Sequence, residues 1–155
     1  MSELPEADRQ GDLPAPRETS ELIGQEKAEA AFLDAYMSGR LHHAWLLSGP
    51  RGIGKATLAW RIARFLLATP EQEDDGLFGA PPPPETLEIG ADHPVMRRTL
   101  ALSEPGLFLL RRAWDDKAKR LKTQLTVDEV RKLKGFFGMS SADGGRRVVI
   151  VDAAD

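Results

Sequence analysis

The sequence contains no cysteine, no secretion signal and no long apolar run. Without Cys there are no disulfide frameworks, thiolate zinc sites or cysteine nucleophiles, and the chain suits a reducing cytosol. The first twenty residues lack the basic and apolar regions of a signal peptide, and no run approaches the roughly 18 apolar residues of a membrane helix. We therefore predict a cytoplasmic protein with no membrane partner.

The composition is that of a globular protein with unevenly distributed charge. The chain has 155 residues, 41% of them hydrophobic and 29% charged, which suits a single core. Its net charge of -3 conceals two acidic stretches, 1–30 and 71–92, and a basic stretch, 93–147. Residues 1–19 combine acids and prolines without apolar periodicity, so we predict a flexible tail. Acids and four consecutive prolines predict an irregular insertion over about 70–105.

The spacing of apolar residues between these segments predicts helices alternating with strands. One helix follows Gln25 and ends at Gly39, a second follows Gly54 and closes near Thr69, and a third follows Thr126. Thr126 and Glu129 fit a capping box, with Val130, Leu133 and Phe137 on one side of the helix. The predicted strands are Ala44–Ser48, Leu107–Arg111 and the β-branched run Arg147–Asp152, which is typical of a parallel strand buried on both faces. This order predicts an α/β fold with a parallel sheet.

A glycine-rich segment between the first predicted strand and the second helix has the pattern of a phosphate-binding loop. It consists of Gly49, Pro50, Arg51, Gly52, Ile53, Gly54, Lys55, Ala56 and Thr57. Glycines let backbone N–H groups converge on phosphate oxygens, and Lys55 can reach the β and γ phosphates. The pattern ends in Ser or Thr, whose hydroxyl binds Mg²⁺, but this chain has Ala56 there. Thr57 is one residue on, about 100° around the helix.

The acidic motif that accompanies a phosphate-binding loop in such sites is also incomplete. In P-loop enzymes an apolar strand ends in an Asp that helps hold Mg²⁺, and a Glu often follows to orient water. Here Asp152 ends the strand and Ala153 follows it. We therefore predict a loop descended from a nucleotide-binding loop, with no catalytic residue and no metal ligand set. Binding of ATP or ADP stays open, and we do not expect Mg²⁺ coordination or hydrolysis.

Several segments together resemble the delta-prime subunits of the bacterial DNA polymerase III clamp loader, which belong to the AAA+ superfamily. They are Leu22–Glu26, His42–Pro50 with its continuation to Lys55, and Val148–Asp155. The resemblance covers residues 20–155 and implies the N-terminal part of a P-loop NTPase (AAA+) domain, a parallel sheet with flanking helices. It also implies that the fold is incomplete at the C-terminal end. The strand that normally separates 44–48 from 147–152 would follow residue 155.

The same resemblance implies a role and a set of partners. Delta-prime subunits act as the stator of a ring in which the tau and gamma subunits hydrolyse ATP and the delta subunit opens the sliding clamp. The ring loads that clamp on primed DNA, and the stator offers an arginine finger that would lie beyond residue 155. Ile23 falls in the family's box near the adenine ring. Many members hold zinc with four cysteines, and since this chain has none, zinc is not carried over.

Two other functions stay open at this point. The first is an active P-loop ATPase or kinase that uses Lys55 and Asp152, with Thr57 recruited to Mg²⁺. The second is a nucleic-acid-binding module, because basic side chains around an aromatic residue suit phosphates and bases. That basic segment contains Arg111, Arg112, Trp114, Lys117, Lys119, Arg120 and Lys122. Ala56 and Ala153 weigh against the first, and the acidity of the rest of the chain weighs against the second.

Overall fold

Two parallel strands between helices form the frame of this α/β chain. The computed structural model describes residues 5–69, 82–138 and 145–152. Its elements are α1 (Glu26–Met37), α2 (Lys55–Ala68), α3 (Pro94–Leu100), β1 (Leu107–Leu110), β2 (Trp114–Asp115), β3 (Arg120–Leu121), α4 (Val127–Gly138) and β4 (Val148–Val151). Strands β1 and β4 pair in parallel, and β2 and β3 form a short antiparallel hairpin. The predicted α/β class with a parallel sheet is confirmed at this level.

The parallel pair has a helix on each face. Leu107 and Leu109 of β1 pack in one cluster with Ile150 of β4 and with Trp60 and Ala63 of α2. Alternate side chains of a strand point to opposite faces. Phe108 accordingly lies on the other face, with its ring centroid 5.4 Å from that of Phe136 in α4. The described part of the fold is therefore a helix–sheet–helix sandwich.

A second cluster joins α1 to α2. Its buried members are Phe32, Leu33, Leu58, Ile62, Phe65 and Leu87. Both helices lie where the apolar spacing predicted them: α1 is followed by Gly39 at φ 67, and α2 is capped by Thr69. No helix among the described residues is both long enough and apolar enough to cross a membrane.

The strand predicted over Ala44–Ser48 is absent. These residues form no ladder with any described strand, and the Leu46 side chain is 86% exposed. A run of apolar residues becomes a strand only when a neighbour satisfies its backbone hydrogen bonds. In the described chain β1 and β4 pair with each other and no strand lies beside 44–48. Strand β4 is unevenly buried: Ile150, which faces α2, is 7% exposed, whereas Val151 at the end of the strand is 46% exposed.

Helix α3 lies inside the segment expected to be irregular. Pro94 opens this helix, where its missing N–H costs no hydrogen bond, and His93 Nδ1 accepts from the Val95 N–H at 3.2 Å. Val95 and Thr99 are buried against the rest of the fold. The prolines and acids of 70–81 lie outside the described residues.

The third predicted helix is present and begins directly after Thr126, as predicted, but its capping box does not form and its buried side differs from the predicted one. The Thr126 hydroxyl is buried without a hydrogen-bond partner, and the Glu129 carboxylate accepts from Lys132 Nζ at 2.9 and 3.0 Å instead of closing a capping box. Phe136 is 7% exposed, whereas Phe137 is 57% exposed. Phe136 faces β1, and the spacing of apolar residues within the helix did not reveal which side the strand would cover.

Residues 5–19 pack against the body of the chain, which differs from the unpacked tail expected from their composition. Ala15 is completely buried, and Arg17 Nε donates to the Leu100 carbonyl at 3.3 Å. Glu6 accepts from Arg17 at 2.8 Å and from Arg111 at 3.3 Å, and Asp8 accepts from Arg111 at 2.6 Å. Composition missed these contacts because they are polar and most of them join positions 83 to 105 residues apart.

We expect Leu58→Ala to lower the free energy of unfolding by about 2–5 kcal/mol, because Leu58 is 4% exposed in the α1–α2 cluster. The matched change Leu13→Ala, at a side chain that is 63% exposed, should alter it by less than about 0.5 kcal/mol. Urea denaturation followed by circular dichroism measures both. Equal losses from the two variants would contradict the assigned core.

Glu6 makes the stability of the fold depend on pH. Burial by itself would raise the Glu6 pKa, but hydrogen bonds and charge from Arg17 and Arg111 outweigh it, so the net pKa is lowered. A carboxylate with a lowered folded-state pKa stabilises the fold above its unfolded pKa, and that stability is lost as pH falls through the folded pKa. Glu6→Gln should therefore flatten the fall in unfolding free energy below about pH 4.5. Chemical denaturation across pH 6 to 3 is the measurement, and Glu21→Gln at an exposed carboxylate is the control. An unchanged slope in Glu6→Gln would sink the assignment.

Candidate functional site

The glycine-rich loop meets α2 at a left-handed residue. Gly54 is the N-cap of α2 with φ 93, a conformation that side chains with a Cβ rarely adopt. A Cβ on Gly54 would also lie 2.6 Å from Leu22 Cδ1. The loop therefore turns into the helix beside the segment that precedes α1, and a glycine is needed at that point.

A side-chain hydrogen bond joins this segment to the loop. Gln25 Nε2 donates to the Ile53 carbonyl at 3.0 Å. Ile23, the predicted adenine contact, is 79% exposed, close in sequence to this link. The structure thus brings the segment around Ile23 and Gln25 next to the loop, although Gln25 and Ile53 are 28 positions apart in the sequence.

Lys55 lies across the mouth of the loop. Its Nζ donates to the carbonyls of Gly49 at 2.8 Å and Pro50 at 2.7 Å. Arg51, Gly52 and Ile53 are exposed around this ammonium group. A cation beside exposed loop backbone at a helix N-terminus is chemically suited to phosphate oxygens.

The two residues after Lys55 present no hydroxyl at the position where the pattern requires one. Ala56 is half-buried and ends in a methyl group, and Thr57 is 9% exposed. Consecutive residues of a helix are about 100° apart, so the Thr57 hydroxyl does not take the direction of the Ala56 side chain. The loop keeps its cation and lacks the usual metal ligand.

Contacts along α2 show which end of the sheet the loop occupies. Arg146 lies just before β4, and its Nη1 donates to the Thr69 carbonyl at 2.9 Å. The N-terminal end of β4 therefore lies near the C-terminal end of α2. Further along β4, Ile150 packs with Trp60 and Ala63. The helix therefore runs antiparallel to the strands, and its N-terminus with Lys55 lies toward their carboxyl ends. Open α/β sheets bind ligands at that edge.

Asp152 lies at the same edge. Its backbone N–H donates to the Leu110 carbonyl at 2.9 Å, which continues the β1–β4 ladder, and its side chain is half-buried. A strand advances about 3.3 Å per residue and a helix about 1.5 Å. The distance from Ile150 to Asp152 along β4 therefore equals the length of about four residues of α2, counted back from Trp60 and Ala63. Asp152 is thus roughly level with the first turn of that helix.

The basic segment predicted to bind nucleic acid makes different contacts before and after Trp114. Arg111 is held by Asp8 and Glu6, and Arg112 Nε and Trp114 Nε1 are buried without hydrogen-bond partners. The basic side chains beyond Trp114 belong to the β2–β3 hairpin, where Lys117, Lys119 and Arg120 are exposed. The segment therefore combines an Arg111 that is paired with carboxylates, a half-buried Trp114 and exposed cations on the hairpin.

Sequence reasoning missed the buried cation Arg64, which is 3% exposed on α2. Its position between Ala63 and Phe65, in the apolar part of the helix, is the one signal that pointed to it. Among the described residues no group of three or more His, Asp or Glu side chains is arranged to hold a metal ion.

Comparisons with known proteins identify the family. Residues 24–155 match the family model described as DNA polymerase III, delta subunit. The chain is 45% identical over 51 residues to the DNA polymerase III subunit gamma of Buchnera aphidicola subsp. Schizaphis graminum, covering 33% of this chain and 14% of that protein. It is 39% identical over 51 residues to the subunit tau of Escherichia coli (strain K12), covering 33% of this chain and 8% of that protein.

A third relative is the DNA polymerase III subunit gamma/tau of Mycobacterium tuberculosis (strain ATCC 25618 / H37Rv), 45% identical over 51 residues, 33% of this chain and 9% of that protein. The similarity spans only a small part of the length of each of these relatives. The family model, in contrast, matches most of the chain. The chain therefore belongs to the DNA polymerase III delta subunit family.

Proposed function

We propose that this chain is a delta-prime-type stator of the DNA polymerase III clamp loader, which supports loading of the sliding clamp on primed DNA. Its partners in this proposal are the tau or gamma subunits and the delta subunit, with the clamp and DNA reached through the complex. Residues 20–155 contribute the N-terminal part of an AAA+ P-loop domain. Family membership and the similarity to gamma and tau subunits support the complex, and the loop supports the stator role.

The observation that carries the stator role is the methyl group of Ala56 next to a buried Thr57. An active P-loop enzyme holds Mg²⁺ through a hydroxyl at the position of Ala56, and the metal neutralises charge that develops on the phosphates. Here Lys55 and the loop glycines suit phosphate oxygens, whereas the metal ligand is absent. We infer that the loop holds the phosphates of ATP or ADP without turnover and that Ile23 lies near the base. The loop residues are Gly49, Pro50, Arg51, Gly52, Ile53, Gly54, Lys55, Ala56 and Thr57.

The competing proposal is an active ATPase, and one observation favours it. Lys55 and Asp152 lie at the same edge of the sheet, the arrangement that a nucleotide with Mg²⁺ requires. Thr57 would then have to replace the missing ligand, but its burial in the first turn of α2 opposes that. Ala153, at the position of the water-orienting Glu, opposes it independently.

We expect Ala56→Ser to make the affinity for ATP depend on Mg²⁺, a dependence that the natural chain lacks. Calorimetric titration of the full chain with ATP should give affinities within about twofold with and without Mg²⁺, because no hydroxyl binds the metal. The serine variant should bind ATP about tenfold more tightly with Mg²⁺, equivalent to about 1.4 kcal/mol. Ala30→Ser, at an exposed position of α1, is the matched control.

A hydrolysis assay on the same samples separates the two proposals. The stator proposal requires no measurable turnover by the natural chain. ATP hydrolysis near 1 s⁻¹, within the usual enzyme range, that disappears in Lys55→Ala would overturn it and support the active ATPase.

Reconstitution tests the role in the complex. Clamp loading by the tau or gamma and delta subunits should be lost when this protein is omitted and restored when it is added. Because a stator contributes packing rather than hydrolysis, Lys55→Ala should restore loading to within about threefold, which is under 1 kcal/mol. The assay measures the clamp retained on primed circular DNA. Loading that proceeds equally well without this protein would rule out the proposed role.

A further inference from the structure

A cavity away from the glycine-rich loop lies between α2, the start of α3 and the end of the N-terminal segment. Its volume is about 180 Å³, and it is lined by Ser20, Arg61, Arg64, Leu87, Glu88, Ile89, Ala91 and Met96. Ser20, Glu88 and Ala91 are exposed and form its rim, whereas Arg64 and Leu87 are almost completely buried. Two arginines therefore line a cavity whose wall is largely apolar.

Arg64 is a buried cation without an acidic partner. Its Nε donates to the Thr99 hydroxyl at 3.1 Å, and its Nη2 donates to the Arg17 carbonyl. Both acceptors are neutral, and no carboxylate of the described residues forms an ion pair with it. A guanidinium has five N–H groups, so the Nη1 donors remain for another acceptor.

Among the described residues this positive charge meets only neutral groups: the Thr99 hydroxyl, the Arg17 carbonyl and the Trp60 ring, whose centroid lies 5.6 Å from Arg64 Cζ. Desolvation and the charge of Arg61 lower the Arg64 pKa, which shows that the environment is unfavourable for a cation. Arginine nevertheless stays protonated in proteins. Arg61 is already paired with Glu29 and bonded to the Ser20 carbonyl. Glu88 lines the cavity with an exposed side chain and pairs with neither arginine.

The size and polarity of the cavity define the ligand. It is far larger than the roughly 10–15 Å³ that one water requires on the same measure. It is smaller than the roughly 300–1,000 Å³ of pockets that hold drug-sized ligands, so a nucleotide does not fit. A buried charge needs a counter-charge or hydrogen bonds to offset its desolvation. A small anion with several acceptor oxygens supplies both, and a guanidinium binds such oxygens in pairs.

We propose that this cavity, lined by Arg64, Arg61 and Ser20, binds a small tetrahedral oxyanion of the phosphate or sulfate class. The bound anion accepts from the Arg64 Nη1 donors and balances the buried charge. Since Arg64 also holds the Arg17 carbonyl of the N-terminal segment and Thr99 of α3, the anion stabilises the contact of both with α2. The site is separate from the loop and does not depend on the role proposed above.

Titration of the full chain with inorganic phosphate, and separately with sulfate, tests this proposal in a chloride buffer. Lys55→Ala is used as the background, so that phosphate bound at the glycine-rich loop does not contribute. We expect one saturable site with a dissociation constant on the order of 1 mM. Arg64→Lys keeps the charge but loses the paired N–H groups, so it should weaken binding at least tenfold. Arg97→Lys, an exposed arginine of α3, should change binding less than twofold.

Two further variants keep the test decisive if Arg64→Lys fails to fold. Ala91→Phe fills the rim from an exposed position and should abolish anion binding while leaving the unfolding transition in place. Glu88→Gln removes a negative charge from the rim and should tighten binding about threefold. No saturable binding of phosphate or sulfate by the folded protein up to about 20 mM would overturn the proposal. Binding that is unchanged in Ala91→Phe would overturn it as well.

Discussion

The packing of α2 on the β1–β4 pair is the contact on which the rest of the fold depends. Trp60, Ala63 and Ile150 form its centre, with Trp60 only 1% exposed. Because the helix runs antiparallel to the strands, its N-terminus, the glycine-rich loop and Asp152 lie at the same edge of the sheet. The opposite face of α2 meets α1 through Leu58, Ile62 and Phe65, so one helix contributes to both apolar clusters.

Polar contacts hold the segments that this apolar frame does not reach. Arg17 and Arg111 bind the carboxylates of Glu6 and Asp8, and Arg64 binds the carbonyl of Arg17. Ion pairs that are partly shielded from water are screened less by salt than exposed pairs. The exposed pair Arg131–Asp128, in contrast, is of the kind that contributes little to stability. Arg64 differs from both, since its described contacts are two neutral oxygens and the ring of Trp60, whose centroid lies 5.6 Å from Arg64 Cζ.

The loop combines groups that suit phosphate with a residue that does not suit Mg²⁺. The groups that suit phosphate are Lys55, which is held by its own loop carbonyls, and Gly54, at the left-handed N-cap. The residue that does not suit Mg²⁺ is Ala56, because a methyl group cannot coordinate a metal. In the stator role proposed above, such a loop would contribute packing rather than hydrolysis.

The sequence by itself determined the local features: helices α1 and α2, which end just before Gly39 and Thr69, the strands β1 and β4, and the chemistry available at Lys55 and Ala56. The spacing of apolar residues and the positions of glycines predict such features because the features depend on residues only a few positions apart in the chain. Tertiary structure alone decided that 44–48 forms no strand, that Phe136 rather than Phe137 is buried, and that Arg64 is enclosed. Strand pairing, helix facing and ion pairs such as Asp8–Arg111 join distant positions, so no local pattern encodes them. Their outcome depends on which surfaces meet when the chain folds.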